Sequence, residues 1–228
     1  MATMKRTYPG GKAGNGVYQT IINLMPPHKT YIETHLGGGA ILKKKRPASR
    51  NIGIDLDPEV ISSWRGHRDP NLEIYNTDSV SFLKSYPFSG EELVYCDPPY
   101  LQETRKTGKI YRFEYTQAQH IRLLECIRQL NCMVLISGYP SSLYDEYLEG
   151  WNRIAFQAQT RGGVPATEHV WFNYKEPLEL HDTRFLGKNY RERERIKKKA
   201  ARWVKRFQGL PVLEKQAIIR ELKEGGVL

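Results

Sequence analysis

The chain has 228 residues, of which 39% are apolar and 26% charged. This composition is that of a globular protein with one domain and room for a small appendage, and it excludes wholesale disorder and a collagen-like fibre. No apolar run approaches the roughly 18 residues of a membrane span, and the N-terminus lacks the apolar segment of a secretory signal. We therefore expect no membrane partner.

Cysteine and histidine usage indicates a reducing compartment. The three cysteines, Cys96, Cys126 and Cys132, form no CxxC pair, and the six histidines are scattered. This pattern predicts neither a disulfide framework nor a metal site. We expect a cytoplasmic protein.

The net charge of +10 is unevenly distributed, because residues 178–228 contain 14 Lys or Arg and only 7 Asp or Glu. Such asymmetry favours a polyanionic partner, with nucleic acid as the first candidate. The alternative is a solvated basic tail that aids solubility.

Strand and helix patterns alternate along the first three quarters of the chain. They predict an α/β fold with a mainly parallel sheet, which binds ligands at the carboxyl ends of its strands. One helix is predicted over 14–25 and another from Thr116, which has capping-box spacing to Gln119. Strands are predicted at 30–34, 51–57, 72–76, 92–97, 133–138, 151–159 and 169–174.

Two segments depart from this alternation. Residues 101–115 mix basic and aromatic side chains directly after a strand and are predicted to form a long loop. Residues 178–228 are predicted to form a basic helical appendage to a domain of residues 1–177, with two helices joined by a turn at 209–211. The first of these helices has an apolar face of Ile196, Ala200, Trp203, Val204 and Phe207.

Three successive glycines, Gly37 to Gly39, follow the strand at 30–34. Glycines allow a sharp turn and a close approach of the backbone to a ligand. Asp55 ends the next strand, 18 residues after Gly37, where a carboxylate suits the hydroxyls of a ribose. The pattern indicates a cofactor that contains a nucleoside, and the alternative is a flexible turn with an exposed aspartate.

The strand at 92–97 runs directly into Asp97-Pro98-Pro99-Tyr100. Two prolines restrict the backbone, so a carboxylate, a carbonyl and an aromatic ring would be fixed at the end of the strand. This arrangement suits methylation of the exocyclic amine of adenine, which is a poor nucleophile. Asp97 and the Pro98 carbonyl would accept hydrogen bonds from the amine, and Tyr100 would stack on the base. A paired base must first be flipped out of the duplex. The alternative is a surface turn.

These motifs, in this order over roughly residues 8–174, resemble the adenine-specific DNA methyltransferases of the DNA adenine methylase type. Tyr8-Pro9-Gly10-Gly11-Lys12 is similar to the (W/Y)xGGK motif of that family, and Glu33 to Gly39 to its (D/E)PFxGxG loop. The resemblance implies a Rossmann-like methyltransferase fold that uses S-adenosylmethionine.

The resemblance also implies roles for residues of this sequence. Asp55 would bind the ribose, Asp78 would lie beside the cofactor adenine, and Leu135-Ile136-Ser137 would support the target-base pocket. The catalytic residues would be Asp97, Pro98, Pro99 and Tyr100. The cofactor-binding residues would be Tyr8, Lys12, Glu33, Gly37, Gly39, Asp55, Asp78 and Asp97.

Two features depart from the family pattern. Thr34-His35 replaces the usual Pro-Phe, and we expect His35 to pack where the Phe would, with a catalytic histidine as the alternative. Only 18 residues separate Asp78 from Asp97, so the target-recognition domain that many relatives insert there is missing. This predicts short or relaxed sequence recognition.

Two basic segments remain as candidates for contacting DNA. The loop would hold phosphates and stack bases, and the appendage would bind phosphates or place a helix-turn-helix in the major groove. The alternatives are a solvated loop, a hairpin packed on the core, or a dimer contact through Trp203 and Phe207. The loop residues are Arg105, Lys106, Lys109 and Arg112, with Tyr111, Phe113 or Tyr115 for stacking. The appendage residues are Arg191, Arg193, Arg195, Lys197, Lys198 and Lys199.

Taken together, the sequence predicts transfer of a methyl group from S-adenosylmethionine to N6 of a flipped adenine in double-stranded DNA. The enzyme would be nucleoid-associated in a bacterial or phage-infected cell. Its residues are equally compatible with an enzyme that accompanies a restriction enzyme, travels with a phage or mobile element, or marks the host genome. The alternatives are N4-cytosine or RNA adenine methylation, an inactive nucleic-acid-binding regulator and, less favoured, a nicotinamide dehydrogenase.

Overall fold

The computed structural model describes residues 10–14, 16–105, 108, 110–159 and 165–226. This part of the chain forms an α/β fold, as predicted. The strands are β1 Thr30–Glu33, β2 Arg50–Asp55, β3 Leu72–Asn76, β4 Glu92–Cys96, β5 Met133–Gly138, β6 Asn152–Gln159 and β7 Pro165–Phe172. The α-helices are α1 Val17–Ile22, α2 Ala40–Lys44, α3 Pro58–Ser63, α4 Ser79–Ser85, α5 Gln117–Arg128, α6 Ser142–Tyr147, α7 Tyr190–Gln208 and α8 Val212–Glu224.

The seven strands form one sheet in the order β3-β2-β1-β4-β5-β7-β6. Strands β1 to β5 are parallel, whereas β7 runs antiparallel to both β5 and β6. The strand order reverses between β1 and β4, which is the switch point where open α/β sheets bind ligands. The sheet therefore places the carboxyl ends of β1, β2 and β4 side by side.

The central strands are buried on both faces, which explains their continuous apolar character. Ile32 of β1 is in register with Ile52 of β2 and with Val94 of β4, and all three are fully buried. Helices cover parallel sheets on both sides, so neither face of these strands needs polar residues. The core extends through β5 and β7 to Trp171, which is 2% exposed.

Several element bounds differ from the sequence prediction for identifiable reasons. The first helix occupies only Val17–Ile22, because Gly16 precedes it at a φ of 92° and i→i−3 bonds from Leu24 and Met25 tighten its last turn. Strand β7 begins at Pro165 rather than residue 169, since pairing with β6 recruits residues with weak strand preference. The predicted capping box of α5 is present, with Thr116 and Gln119 bonding each other's backbone amides.

The chain divides into two compact units, one up to Thr183 and the other from Arg184. The boundary lies beyond the predicted residue 177 because His181 and Asp182 hydrogen-bond to Met25 and Arg46 of the first unit. The second unit consists mainly of α7 and α8, joined at 209–211 as predicted. Among the described residues, none of the helices has the length and apolar character needed to span a membrane.

Candidate active site

A cavity opens at the carboxyl edge of the parallel strands, beside the switch point. It brings together residues that lie far apart in the sequence but that follow neighbouring strands. The predicted cofactor-binding residues that line it are Lys12, Glu33, Gly37, Gly39, Asp55, Asp78 and Asp97. Tyr8, also predicted there, lies outside the described residues.

The glycine turn is built around Asp55. The backbone N–H of Gly37 donates to Asp55 Oδ2 at 2.8 Å, and the N–H of Asp57 donates to Oδ1 at 2.9 Å. Gly37 and Gly39 have φ angles of 44° and 58°, which favour glycine. Trp64 supports the turn from below by donating its indole N–H to the Gly37 carbonyl at 3.1 Å.

Substitution of Gly39 provides a test of how tightly this turn is packed. A Cβ at Gly39 would lie 2.2 Å from the Trp64 ring, whereas a Cβ at Gly66, which also has a positive φ, would meet nothing within 4 Å. Both Gly→Ala changes incur backbone strain of about 1–3 kcal/mol, and overpacking adds about 1–3 kcal/mol at Gly39 alone. Urea unfolding should therefore show Gly39→Ala to be clearly less stable than Gly66→Ala. Equal losses of stability would contradict this description of the turn.

Asp97 follows β4 and is paired with Lys12. The Lys12 ammonium donates to Asp97 Oδ1 at 2.7 Å and to the Gly10 carbonyl at 3.1 Å, and its side chain is 4% exposed. Burial raises the pKa of Asp97, and the ammonium partly offsets that increase. Burial also disfavours the Lys12 ammonium, but the Asp97 and Glu168 carboxylates outweigh it and raise the pKa of Lys12 above its usual value.

Glu168 of β7 is a site residue that the sequence did not reveal. Its Oε2 lies 3.6 Å from the Lys12 ammonium and accepts a hydrogen bond from the Tyr100 hydroxyl at 2.9 Å. Lys12 lies over the Tyr100 ring, 4.8 Å from its centroid, and the Tyr139 ring packs edge-on against it. Tyr100, only 7% exposed, is thus held in place by charged and aromatic neighbours.

Two further carboxylates lie at strand ends around the cavity. Glu33 accepts hydrogen bonds from the Tyr31 hydroxyl at 2.8 Å and the Leu42 N–H at 3.0 Å, and burial raises its pKa to about 8. Asp78 caps α4 by accepting the Ser81 N–H at 2.9 Å. Glu33 is therefore mostly protonated at neutral pH and would have to ionise to bind a cationic ligand.

The loop after the catalytic segment is organised by Glu114, and this corrects the role predicted for Arg105. Arg105 binds the Glu114 carboxylate through both terminal nitrogens and is only 4% exposed. Glu114 also accepts the N–H groups of Ile110 and Tyr111 at 2.8 and 2.9 Å. Arg105 therefore shapes the loop from within and does not present its charge to a DNA phosphate.

The remaining loop residues divide between the cavity and the surface. Tyr111, Phe113 and Tyr115, predicted to stack on bases, line the same cavity as the glycine turn. Arg112 is half-exposed and forms ion pairs with Asp57 and Glu59. Lys106 and Lys109 lie outside the described residues.

The remaining predicted residues of the catalytic segment and of the target-base pocket are Pro98, Pro99 and the segment 135–137. Pro98 is buried, Pro99 lines the cavity, and Ser137 of the segment 135–137 hydrogen-bonds the Tyr95 hydroxyl at 2.7 Å. Among the described residues, no group of three or more His, Cys, Asp or Glu side chains could hold a metal ion.

The second unit carries the predicted phosphate-binding residues on α7. Arg191, Arg195 and Lys198 are exposed and recur at intervals of four and three residues, so they share one face with Arg202. Arg193 instead turns back to the Gly187 carbonyl at 3.3 Å. Lys197 and Lys199 are also exposed.

Residues 66–160 match the family model of the D12 class N6 adenine-specific DNA methyltransferases. Among solved structures, the N-methyltransferase NodS from Bradyrhizobium japonicum WM9 has a TM-score of 0.50 and 13% identity, over 69% of this chain and 94% of that chain. An rRNA methylase from Streptococcus thermophilus has a TM-score of 0.47 and 12% identity, over 75% and 98% of the two chains.

A curated protein, the 2-oxoglutarate-dependent dioxygenase eupC from Phoma sp, is 26% identical over 151 residues. The match covers 62% of this chain and 44% of that protein, so the chain spans less than half of the length of this relative.

The sheet order and the likeness to NodS define the Rossmann-like fold of S-adenosylmethionine-dependent methyltransferases. More particularly, the family match confirms, over residues 66–160, the resemblance to N6 adenine-specific DNA methyltransferases. The match to a methyltransferase family agrees with S-adenosylmethionine as the cofactor.

Proposed function

We propose that the protein transfers a methyl group from S-adenosylmethionine to N6 of adenine in DNA, in the cytoplasm of a bacterial or phage-infected cell. The observation that carries the proposal is the partly buried Asp97 carboxylate, which follows β4 and shares one cavity with the glycine turn and Asp55. The match of residues 66–160 to a DNA adenine family supports the choice of amine and of polymer.

The donor set of the cavity fits the cofactor. Each Asp55 oxygen accepts a backbone N–H, and because a carboxylate oxygen accepts more than one hydrogen bond, both can still bind ribose hydroxyls. Gly37 and Gly39 line the cavity beside Asp55. Asp78 would face the adenine, and Glu33 would bind the ammonium of the methionine end. When bound, S-adenosylmethionine supplies an electrophilic methyl group on a sulfonium centre.

Asp97 would act on the amine of a flipped adenine. Its carboxylate and the Pro98 carbonyl would accept the two N6 hydrogens, which frees the nitrogen lone pair from the ring, and Asp97 would take the proton released after transfer. These roles require Asp97 to be ionised. Lys12 stabilises the charged form, because an opposite charge at 2.7 Å offsets part of the cost of burial.

The direct test is the chemical identity of the product. The protein is incubated with S-adenosylmethionine and unmethylated duplex DNA, or RNA in parallel, and the digested nucleosides are quantified by mass spectrometry. We expect N6-methyladenine from DNA and none from the Asp97→Ala variant. N4-methylcytosine, or methylated adenine from RNA alone, would favour the alternative substrates. Cofactor binding without any methylated base would favour an inactive regulator.

Replacing Lys12 should shift the acid limb of activity. In Lys12→Met the Asp97 carboxylate loses its cation, its pKa rises, and the amine acceptor stays protonated up to a higher pH. We expect the acid limb of the methylation rate to move upward by about one pH unit or more. Lys29→Met removes a lysine that is ion-paired with Glu91 outside the cavity lining, and should leave the acid limb in place. An unmoved limb in Lys12→Met would contradict the role of the pair.

Glu33 should make cofactor binding pH-dependent. Because burial raises the pKa of Glu33 to about 8, the group is largely protonated at pH 6 and must ionise to bind an ammonium. The affinity for S-adenosylmethionine should therefore rise from pH 6 to pH 8, with release of protons on binding at neutral pH. Calorimetry in buffers of different ionisation enthalpy measures both, and Glu33→Gln should abolish the dependence. Binding that is insensitive to pH would contradict this assignment.

The basic face of α7 is the stronger candidate for binding phosphates, since Arg105 is committed to Glu114. Phosphate contacts carry no base identity, and we therefore propose a short or relaxed target site. The full-length triple variant Arg191→Gln, Arg195→Gln, Lys198→Gln should bind DNA more weakly and with a flatter salt dependence. The slope of log K against log salt should fall by about 0.9 for each phosphate that the variant no longer neutralises.

A control with the same charge change replaces three exposed basic residues of the first unit, Lys29, Arg50 and Arg153, by Gln. Its salt slope should stay close to that of the wild type. Equal slopes for the wild type and the α7 variant would overturn the assignment of this face.

A further inference from the structure

A continuous chain of side-chain hydrogen bonds runs through the wall of the cavity. Thr34 Oγ1 lies 2.8 Å from His35 Nδ1, His35 Nε2 lies 2.9 Å from the Tyr115 hydroxyl, and that hydroxyl lies 3.0 Å from Ser79 Oγ. Thr34 and Ser79 are 1% and 4% exposed. The two ends of the chain are therefore buried, whereas His35 and Tyr115 between them are partly exposed at the cavity.

The chain joins three segments that each contribute to the site. Thr34 and His35 follow β1 and precede the glycine turn, and Ser79 begins α4 directly after Asp78. Tyr115 ends the loop that follows the catalytic segment and precedes α5. His35, Ser79 and Tyr115 all line the cavity, so the bonds that join these segments also define its wall.

Imidazole chemistry suits the central position of His35. Burial lowers the pKa of His35 to about 3, so the ring is neutral at physiological pH and offers one donor and one acceptor. With a hydroxyl group on each side of the neutral ring, all the hydrogen bonds of the chain can run in the same donor-to-acceptor direction. The phenylalanine that the resemblance places here could fill the space but could form neither bond.

We propose that His35 is a positioning residue for the cofactor, which acts through the Tyr115 hydroxyl to hold residues 110–115 as a wall of the cofactor cavity. The inference rests on the proposed function, because it takes the cavity to be the S-adenosylmethionine site. It also gives the loop a role other than holding phosphates.

The internal structure of the loop supports this role. Glu114 fixes one part of the loop by binding Arg105 and the N–H groups of Ile110 and Tyr111, and the His35–Tyr115 bond anchors the adjoining end. The aromatic rings of Tyr111 and Phe113 line the cavity between these two anchors. A loop with both ends fixed presents a preformed surface, which lowers the entropy cost of binding a ligand.

The test is a double-mutant cycle on cofactor binding by the full-length protein. Calorimetry measures the dissociation constant of S-adenosylmethionine for the wild type, His35→Phe, Tyr115→Phe and the double variant. We expect each single change to weaken binding about five- to tenfold, the equivalent of one hydrogen bond. Because both changes remove the His35–Tyr115 bond, the loss of affinity in the double variant should be clearly smaller than the two single losses combined.

Two additional variants separate positioning from general loss of stability. Tyr174→Phe removes a partly buried hydroxyl bonded to the Leu24 carbonyl outside the cavity lining, and should lower Tm without changing the dissociation constant. His35→Gln keeps a donor that can reach Tyr115, and should recover most of the affinity lost in His35→Phe. Should His35→Phe fail to fold, Ser79→Ala separates the two bonds of the Tyr115 hydroxyl, and Tyr115→Phe must then bind more weakly than Ser79→Ala.

Unchanged affinity in folded Tyr115→Phe, or strictly additive losses in the double variant, would overturn the inference and leave the proposed function standing. A wild-type protein that does not bind S-adenosylmethionine would overturn both. Tight binding by the wild type without methylation of any base would count against the proposed function alone, and the affinities of the variants would still decide the role of His35.

Discussion

The buried ion pair between Lys12 and Asp97 is the interaction on which the rest of the site depends. A carboxylate that is largely removed from water is stable in its charged form only when an opposite charge and hydrogen bonds compensate for lost hydration. Lys12 provides that charge at 2.7 Å, and Glu168 lies close enough to share it. The proposed chemistry needs a charged acceptor in a pocket that is largely removed from water. The ion pair meets this need, because Lys12 stabilises the ionised form of the Asp97 carboxylate there.

The sheet topology explains why this pair lies beside a nucleoside site. Strands β1 and β4 are neighbours on either side of the switch point, where a crevice forms at their carboxyl ends. The polar residues that follow these two strands therefore face one cavity. Asp55 on one side and Asp97 on the other can address two different ligands held against each other. A methyl donor and an acceptor base must meet in this way if transfer is to be direct.

Much of this arrangement could be predicted from the sequence, because strand ends in a parallel sheet obey a general rule. Apolar runs located the strands, and the polar residues at their ends had to lie at the same edge, which brought Asp55 and Asp97 together. Asp78 was assigned from the family resemblance, and it lines the same cavity. Glu168 could not be found in this way. It lies within an antiparallel strand, and only the tertiary pairing of β7 with β5 and β6 brings it to Lys12.

The role of Arg105 was mispredicted for a related reason. A basic residue in a polar loop has the composition of a phosphate-binding site, and nothing in its local pattern shows that Glu114 will fold back to bind it. The network of His35 was equally hidden, since its partners Tyr115 and Ser79 belong to segments separated from it by 80 and more than 40 residues along the chain. Local patterns predict elements, whereas such partners depend on the packing of several elements at once.

The ionisation of Asp97 tests the central claim most directly. Carbon-13 NMR of carboxyl-labelled protein, with Asp97 assigned by comparison with Asp97→Asn, follows the titration of this group in the wild type and in Lys12→Met. We expect Asp97 to be ionised at neutral pH in the wild type and to titrate at a clearly higher pH when Lys12 is replaced. An Asp97 that is protonated at neutral pH in the wild type, or whose titration does not respond to the loss of Lys12, would contradict the role of the ion pair.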